Sequence, residues 1–164
     1  MGTQISLKGS GFGAKKGKVL IGGVPVKVTS WDDGVIKCYV KRVPLPPTVQ
    51  DVVIQRKEPK GAGVITIPNG FQVKGPEIVW LDSIAGKAGD KVNMVGKFFG
   101  SKKAKVFIGG KPAKVVSWAM NPVTGHSEAG FVVPKGLSPG AHDLTLTNKV
   151  STTTRPGGFT ILAP

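Results

Sequence analysis

The sequence predicts an all-β chain of two tandem β-sandwich domains, residues 1–74 and 75–164. Three observations carry that prediction. Apolar residues alternate with polar ones in short stretches, as half-buried strands require. The chain repeats itself at a fixed offset. Glycine and proline, 24 and 13 of 164 residues, recur every few positions and leave no stretch of ten with an unbroken helical period. Short strands punctuated by regular turn signals stack as sandwiches.

The repeat fixes the elements. Residues 2–31 (GTQISLKGSGFGAKKGKVLIGGVPVKVTSW) and 89–118 (GDKVNMVGKFFGSKKAKVFIGGKPAKVVSW) align without a gap at an offset of 87 and are identical at 16 of 30 positions. A period of that length is a domain duplication rather than a short solenoid repeat. Ile5 and Leu7 alternate with polar neighbours and open the first strand. Val19-Leu20-Ile21 and Val106-Phe107-Ile108 are apolar runs that end in Gly-Gly and restart at a proline, the pattern of a tight hairpin. Val24, Val26 and Val28 alternate up to Trp31, whose counterpart is Trp118. Asp32-Asp33-Gly34 reads as a turn, since the rest of a calcium loop is absent. In the strand VIKCYV that follows, Cys38 is a small packed residue rather than a reactive thiol.

The later halves have drifted but keep their type. Each holds a strand, a proline-rich corner and an Asp-led alternating strand, Asp51-Val-Val-Ile in one and Asp143-Leu-Thr-Leu in the other. Each closes on a glycine-aromatic strand, NGFQV at 69–73 and GGFTI at 157–161. The junction Lys74-Gly75-Pro76 is short and stiff, which restricts the angles between domains. Copy two carries GPEIVWLDSIAGKAGD at 75–90, where copy one has only Met1. The first domain therefore lacks an equivalent of Ile78–Leu81, a first strand, and Trp80 within it is read as core or interdomain packing. Either the missing strand lies upstream in a longer parent, the favoured reading because Met1-Gly2 resembles an expression start, or a neighbouring subunit supplies it. An uncovered edge of this kind invites a protein partner or self-assembly.

Charge is the unusual quantity. The net charge is +14, divided as +8 before Gly75 and +6 from it onward. A balance this basic favours acidic partners such as nucleic acid or an anionic polysaccharide. It also keeps a β-protein soluble and blunts its edges. Only Arg42, Arg56 and Arg155 offer the bidentate fork suited to phosphate, which favours the solubility reading. A single cysteine excludes an internal disulfide and a four-cysteine metal site. No apolar run is long enough to span a bilayer, and the N-terminus lacks a signal-peptide layout.

Taken together, these residues resemble the IPT/TIG family, the immunoglobulin-like domains shared by plexins and Rel-type transcription factors. Copy two carries the family's pattern in Pro76-Glu77-Ile78, Gly86, Gly89, Gly96-Lys97-Phe98-Phe99-Gly100, Gly109-Gly110, Val133-Pro134 and Gly158-Phe159-Thr160-Ile161. Copy one carries it in Gly9-Ser10-Gly11-Phe12-Gly13, Gly22-Gly23, Val43-Pro44 and Gly70-Phe71-Gln72-Val73. The resemblance implies immunoglobulin-like sandwiches with Phe12 and Phe99 buried beneath a turn. It also implies a non-catalytic segment of a bacterial surface or secreted protein, acting in adhesion, spacing or assembly. It does not choose a ligand, because the fold hosts receptors, carbohydrate-enzyme accessory domains and DNA-binding factors alike.

Candidate chemistry is sparse. No catalytic residue, metal ligand or cofactor is expected. His126 and His142 stand in the loop-rich half of copy two, and His142 and Asp143, adjacent in a strand, face opposite ways. Two sets of binding residues remain. The first is lysine-rich: Lys15, Lys16 and Lys18 with Lys27, and their counterparts Lys102, Lys103 and Lys105 with Lys114. Such tips would hold a polyanion without reading its sequence. The second is Trp31 and Trp118, which as exposed platforms would stack on a carbohydrate, and otherwise pack.

Overall fold

The structure is a computed structural model that describes residues 2–41, 49–57 and 63–163. Every element among them is a strand, and the chain divides into two units, Met1–Lys74 and Gly75–Pro164. The proline-rich corner of copy one, with Arg42 and Val43-Pro44, lies outside the described residues.

The first unit holds β1 (Thr3–Lys8), β2 (Lys18–Ile21), β3 (Val24–Pro25), β4 (Lys27–Trp31), β5 (Val35–Val40), β6 (Val49–Gln55) and β7 (Val64–Gln72). One sheet runs β1-β5-β4 and the other β3-β2-β6-β7, all neighbours antiparallel. Alternation places Val28, Ile36 and Cys38 of the first sheet and Val19, Ile21, Val52 and Ile54 of the second in the core. Burying aliphatic side chains of this size stabilises by about 1.5–3 kcal/mol each.

The second unit holds β8 (Glu77–Leu81), β9 (Ala85–Gly86), β10 (Lys91–Lys97), β11 (Lys105–Ile108), β12 (Lys111–Met120), β13 (His126–Val132), β14 (Gly140–Thr147) and β15 (Thr152–Ile161). Its strand order is β8-β10-β13-β12-β11-β14-β15-β9. The strand β12 joins both layers: Lys111–Ala113 pairs with β11, then Lys114–Met120 with β13. In the first unit the same stretch breaks at Val26 into β3 and β4, with the Val26 N–H donating to Val19 O at 3.0 Å.

Matched devices recur at matched positions. Gly22-Gly23 and Gly109-Gly110 turn their hairpins with φ of 54° and 77°, and of 52° and 77°, a geometry that L side chains resist. Asp51 Oδ1 accepts the Asn69 N–H at 2.8 Å, and Asp143 Oδ1 accepts the Gly157 N–H at 2.9 Å. Both donors are left-handed, at 53° and 58°, so each carboxylate pins a corner that Asn or Gly alone adopts readily. Register also pairs Cys38 with Val28 as it pairs Phe131 with Val115, so the thiol fills the place that a phenyl ring fills in the second unit.

Trp80 corrects one half of the sequence reading, the core one. It is not a core residue: it is 55% exposed, as is Val79. Register in β8 slips at a bulge opposite Val95 and Gly96, which turns two successive side chains outward while Ile78 and Leu81 face the core.

Candidate binding surfaces

The lysine loops lie where the sequence places them, between β1 and β2 and between β10 and β11, and all eight candidate lysines are exposed. They are not equivalent. Lys16 Nζ donates to Val28 O at 2.9 Å, which ties its loop to β4, whereas Lys103 makes no such bond among the described residues. Lys27 and Lys114 sit on β4 and β12, opposite Tyr39 and Val132. Asp33, which the sequence marks only as a turn residue, also holds the first of these loops. Its carboxylate accepts the N–H of Gly11 at 3.3 Å and of Gly13 at 2.8 Å.

Trp31 and Trp118 are half-buried, and both spend the indole N–H on a backbone carbonyl. Trp31 Nε1 donates to Gly13 O and Trp118 Nε1 to Gly100 O, each at 2.8 Å. Each ring packs on the phenylalanine of its loop, Phe12 at 6.4 Å between centroids and Phe99 at 5.6 Å. The tryptophans thus latch the loop that follows the first strand of the repeat onto the sheet.

The two units differ most along one side. In the second, β8 pairs antiparallel with β10, and β9 then pairs parallel with β15, closing both sheets. Beneath them Val92, Met94 and Phe159 are sealed, at 1%, 0% and 0% exposure. Among the described residues of the first unit, β1 pairs only with β5, and β7 only with β6. The counterparts of those three residues, Ile5, Leu7 and Phe71, are only half-buried. Main-chain groups follow the same contrast. Asn93 in β10 exchanges hydrogen bonds with Asp82 (Asp82 N–H to Asn93 O at 3.0 Å, Asn93 N–H to Asp82 Oδ1 at 2.9 Å), while Ser6, its counterpart, faces an unpaired edge.

Titratable groups do not converge. Among the described residues no group of three His, Cys, Asp or Glu side chains could hold a metal ion. Both histidines lie on strands rather than loops: His126 Nε2 pairs with Glu128 Oε1 at 3.1 Å, and His142 Nε2 bonds Ser138 O at 2.8 Å. The His126–Glu128 pair is an i, i+2 contact along one face of β13, visible in principle from alternation alone. Cys38 is fully buried; burial pushes its thiol up to about 11, with Lys16 pulling weakly the other way. No helix among the described residues is long and apolar enough to cross a membrane.

Residues 1–73 match the family model of the IPT/TIG domain. The chain carries an IPT/TIG domain. Solved structures similar to it include the surface glycan-binding protein PbSGBP-B from Prevotella bryantii, with 19% identity and a TM-score of 0.42 over 92% of this chain and 35% of that one. Another is SGBP-B of the Bacteroides ovatus mixed-linkage glucan utilization locus, at 15% identity and TM-score 0.39 over 98% and 42%. The plexin A4 extracellular region is similar at 12% identity and TM-score 0.48 over 98% and 16%. The chain spans less than half of each. No curated protein matches the chain.

Proposed function

We propose that the first IPT/TIG domain is a strand acceptor, and that the chain is a non-catalytic extracellular or cell-surface module for adhesion and assembly. The observation that supports this is the contrast at one depth of the two sandwiches. Val92 and Met94 are sealed beneath β8, while Ile5 and Leu7 stay half-exposed beside an unpaired edge. A strand laid there gains main-chain hydrogen bonds and covers apolar side chains in one step. The second unit displays the chemistry of the occupant: Ile78 and Leu81 face inward from an antiparallel strand, followed by a short parallel pairing at Ala85-Gly86. The donor is an extended segment with that pattern. We assign the lysine loops to keeping this open β-structure soluble rather than to polyanion capture, since the arginine that reaches the first of them, Arg56, donates to Gly11 O and Gly63 O, and Lys16 is committed to Val28 O. Trp31 and Trp118 are assigned to latching their loops rather than to stacking on sugar.

The test is to titrate a synthetic peptide with the sequence of residues 75–90 into the full chain and follow backbone amides by NMR. Saturable shifts along Thr3–Lys8 and Val64–Gln72 are expected, and none with a peptide carrying Ile78→Asp and Leu81→Asp. Peptide excess that leaves both strands unmoved would overturn the proposal. The mass in solution without peptide then narrows the donor: a dimer assigns it to a second copy, and a monomer leaves it to another protein or to a segment upstream of the given sequence.

A further inference from the structure

We propose that the strand received at the open edge of β1 is acidic on its outward face, with carboxylates at positions i and i+2 set beside Lys8 and Ser6. The partner's chemistry extends the strand-acceptor reading above and rests on it. Register defines the two places. In the second unit Trp80 of β8 lies opposite Val95, and the Asp82 carboxylate holds Asn93. At the offset of 87, Val95 and Asn93 become Lys8 and Ser6. A strand entering in that register sets one outward side chain against Lys8 and the next against Ser6.

The rows behind that edge differ in charge between the units. Val95 and Asn93 are backed by Glu128 and Gly130, whereas Lys8 and Ser6 are backed by Val35 and Lys37. Next to its open edge the first unit has thus gained two lysines and lost a carboxylate. Lys27, opposite Tyr39, continues the line, so Lys8, Lys37 and Lys27 cross three strands in diagonal steps of about 7–8 Å. Their side chains have no hydrogen bond or ion pair among the described residues. On the second unit's outer face the lysines are compensated: Lys97 lies opposite Glu77, and Lys91 and Lys114 share the face with Asp82 and Glu128. On the first, Asp32 stands at the far margin beyond Val35, and Asp33 spends its carboxylate on the N–H groups of Gly11 and Gly13.

The inward side calls for aliphatic residues. Opposite the buried Val52 and Ile54, β7 carries Ile67, 39% exposed, and Ile65; at the same places opposite Leu144 and Leu146, β15 carries Arg155 and Thr153. Ile5, Leu7, Ile65 and Ile67 therefore line the open side beneath the lysines. A flexible polyanion would meet the lysines and leave those side chains wet. A strand with aliphatic residues inward and carboxylates outward meets both, and opposite charges across a strand pair stabilise it. Edge lysines also repel chance pairing, and Lys8 alone would fit that role. Lys37, however, sits on the central strand β5, where no edge needs blunting. A second copy of these residues does not supply the strand, because no two of the chain's nine acids are spaced i, i+2.

The experiment titrates the peptide of residues 75–90 and its Trp80→Glu, Trp80→Gln and Trp80→Lys variants into the full chain at low salt, reading amide shifts along Thr3–Lys8. Trp80→Glu should bind about threefold tighter than Trp80→Gln, and Trp80→Lys weaker by a similar factor. Lys8→Glu in the chain should reverse that order. Lys149→Glu, the same change of charge at an exposed lysine of the second unit, should leave it intact, and about 1 M salt should erase it. Equal binding of the Glu, Gln and Lys peptides, an order that survives Lys8→Glu, or a chain that pairs at β1 with a second copy overturns the acidic strand and leaves the acceptor standing. Shifts with none of the peptides overturn both.

Discussion

Two units share one frame, yet one is closed and the other open along the same side. In the second, the segment Glu77–Gly86 crosses from the edge of β10 to the edge of β15 and seals Val92, Met94 and Phe159. In the first, the same core positions hold Ile5, Leu7 and Phe71, all half-buried beside unpaired edges. The hairpin turns, the Asp-pinned corners and the tryptophan latches are common to both, so none of them depends on that segment. What the segment adds is edge pairing and a lid on the core, and those two quantities should differ between the units when measured.

The largest effect should come from weakening the lid where it exists. Leu81 is 4% exposed and packs in the core cluster, so Leu81→Ala should cost the second unit about 2–5 kcal/mol. Leu7→Ala, at the matched open side, should cost the first unit less, because part of that side chain already meets water. Denaturant unfolding followed separately through resonances of each unit would measure both. Equal costs would break the comparison.

Much of this frame was legible in the sequence for a physical reason. Strand alternation, the Gly-Gly turns and the repeat offset are local or self-referential signals, so Ile5, Leu7, Val19, Ile21 and the hairpins could be assigned without knowing what they pack against. The offset also showed which stretch of copy two has no counterpart in copy one. It did not show that this stretch closes two sheets at once, because its second pairing, parallel to β15, is non-local. Bulges were equally invisible. Alternation through Ile78-Val79-Trp80-Leu81 assigns Trp80 no definite side, and only the register slip against β10 puts it in solvent. Asp33 likewise reads as a turn residue, and its hold on Gly11 and Gly13 rests on a loop some 20 residues earlier folding back on it.

A smaller and more selective difference concerns the thiol. The folded pKa of Cys38 is raised to about 11 from an ordinary 9.0, so the folded state keeps its proton where the unfolded state loses it. The contribution of this group to stability is therefore intact below pH 9 and declines as pH rises toward 11. The first unit should lose stability across that window, and Cys38→Ala should flatten the loss relative to the parent. The second unit has no cysteine, so the substitution should leave its pH profile unchanged. Alkaline unfolding curves of both chains, read unit by unit, check this.

The most direct test of the open side is amide hydrogen exchange at Ser6 and Asn93, matched positions in β1 and β10. In the chain alone, Ser6 with its alternation neighbours Gln4 and Lys8 should exchange far faster than Asn93, whose N–H is held by Asp82. Adding the peptide of residues 75–90 should slow Ser6 toward the rate of Asn93. A Ser6 amide already as protected as Asn93 without peptide, or left unprotected at saturating peptide, would contradict the account.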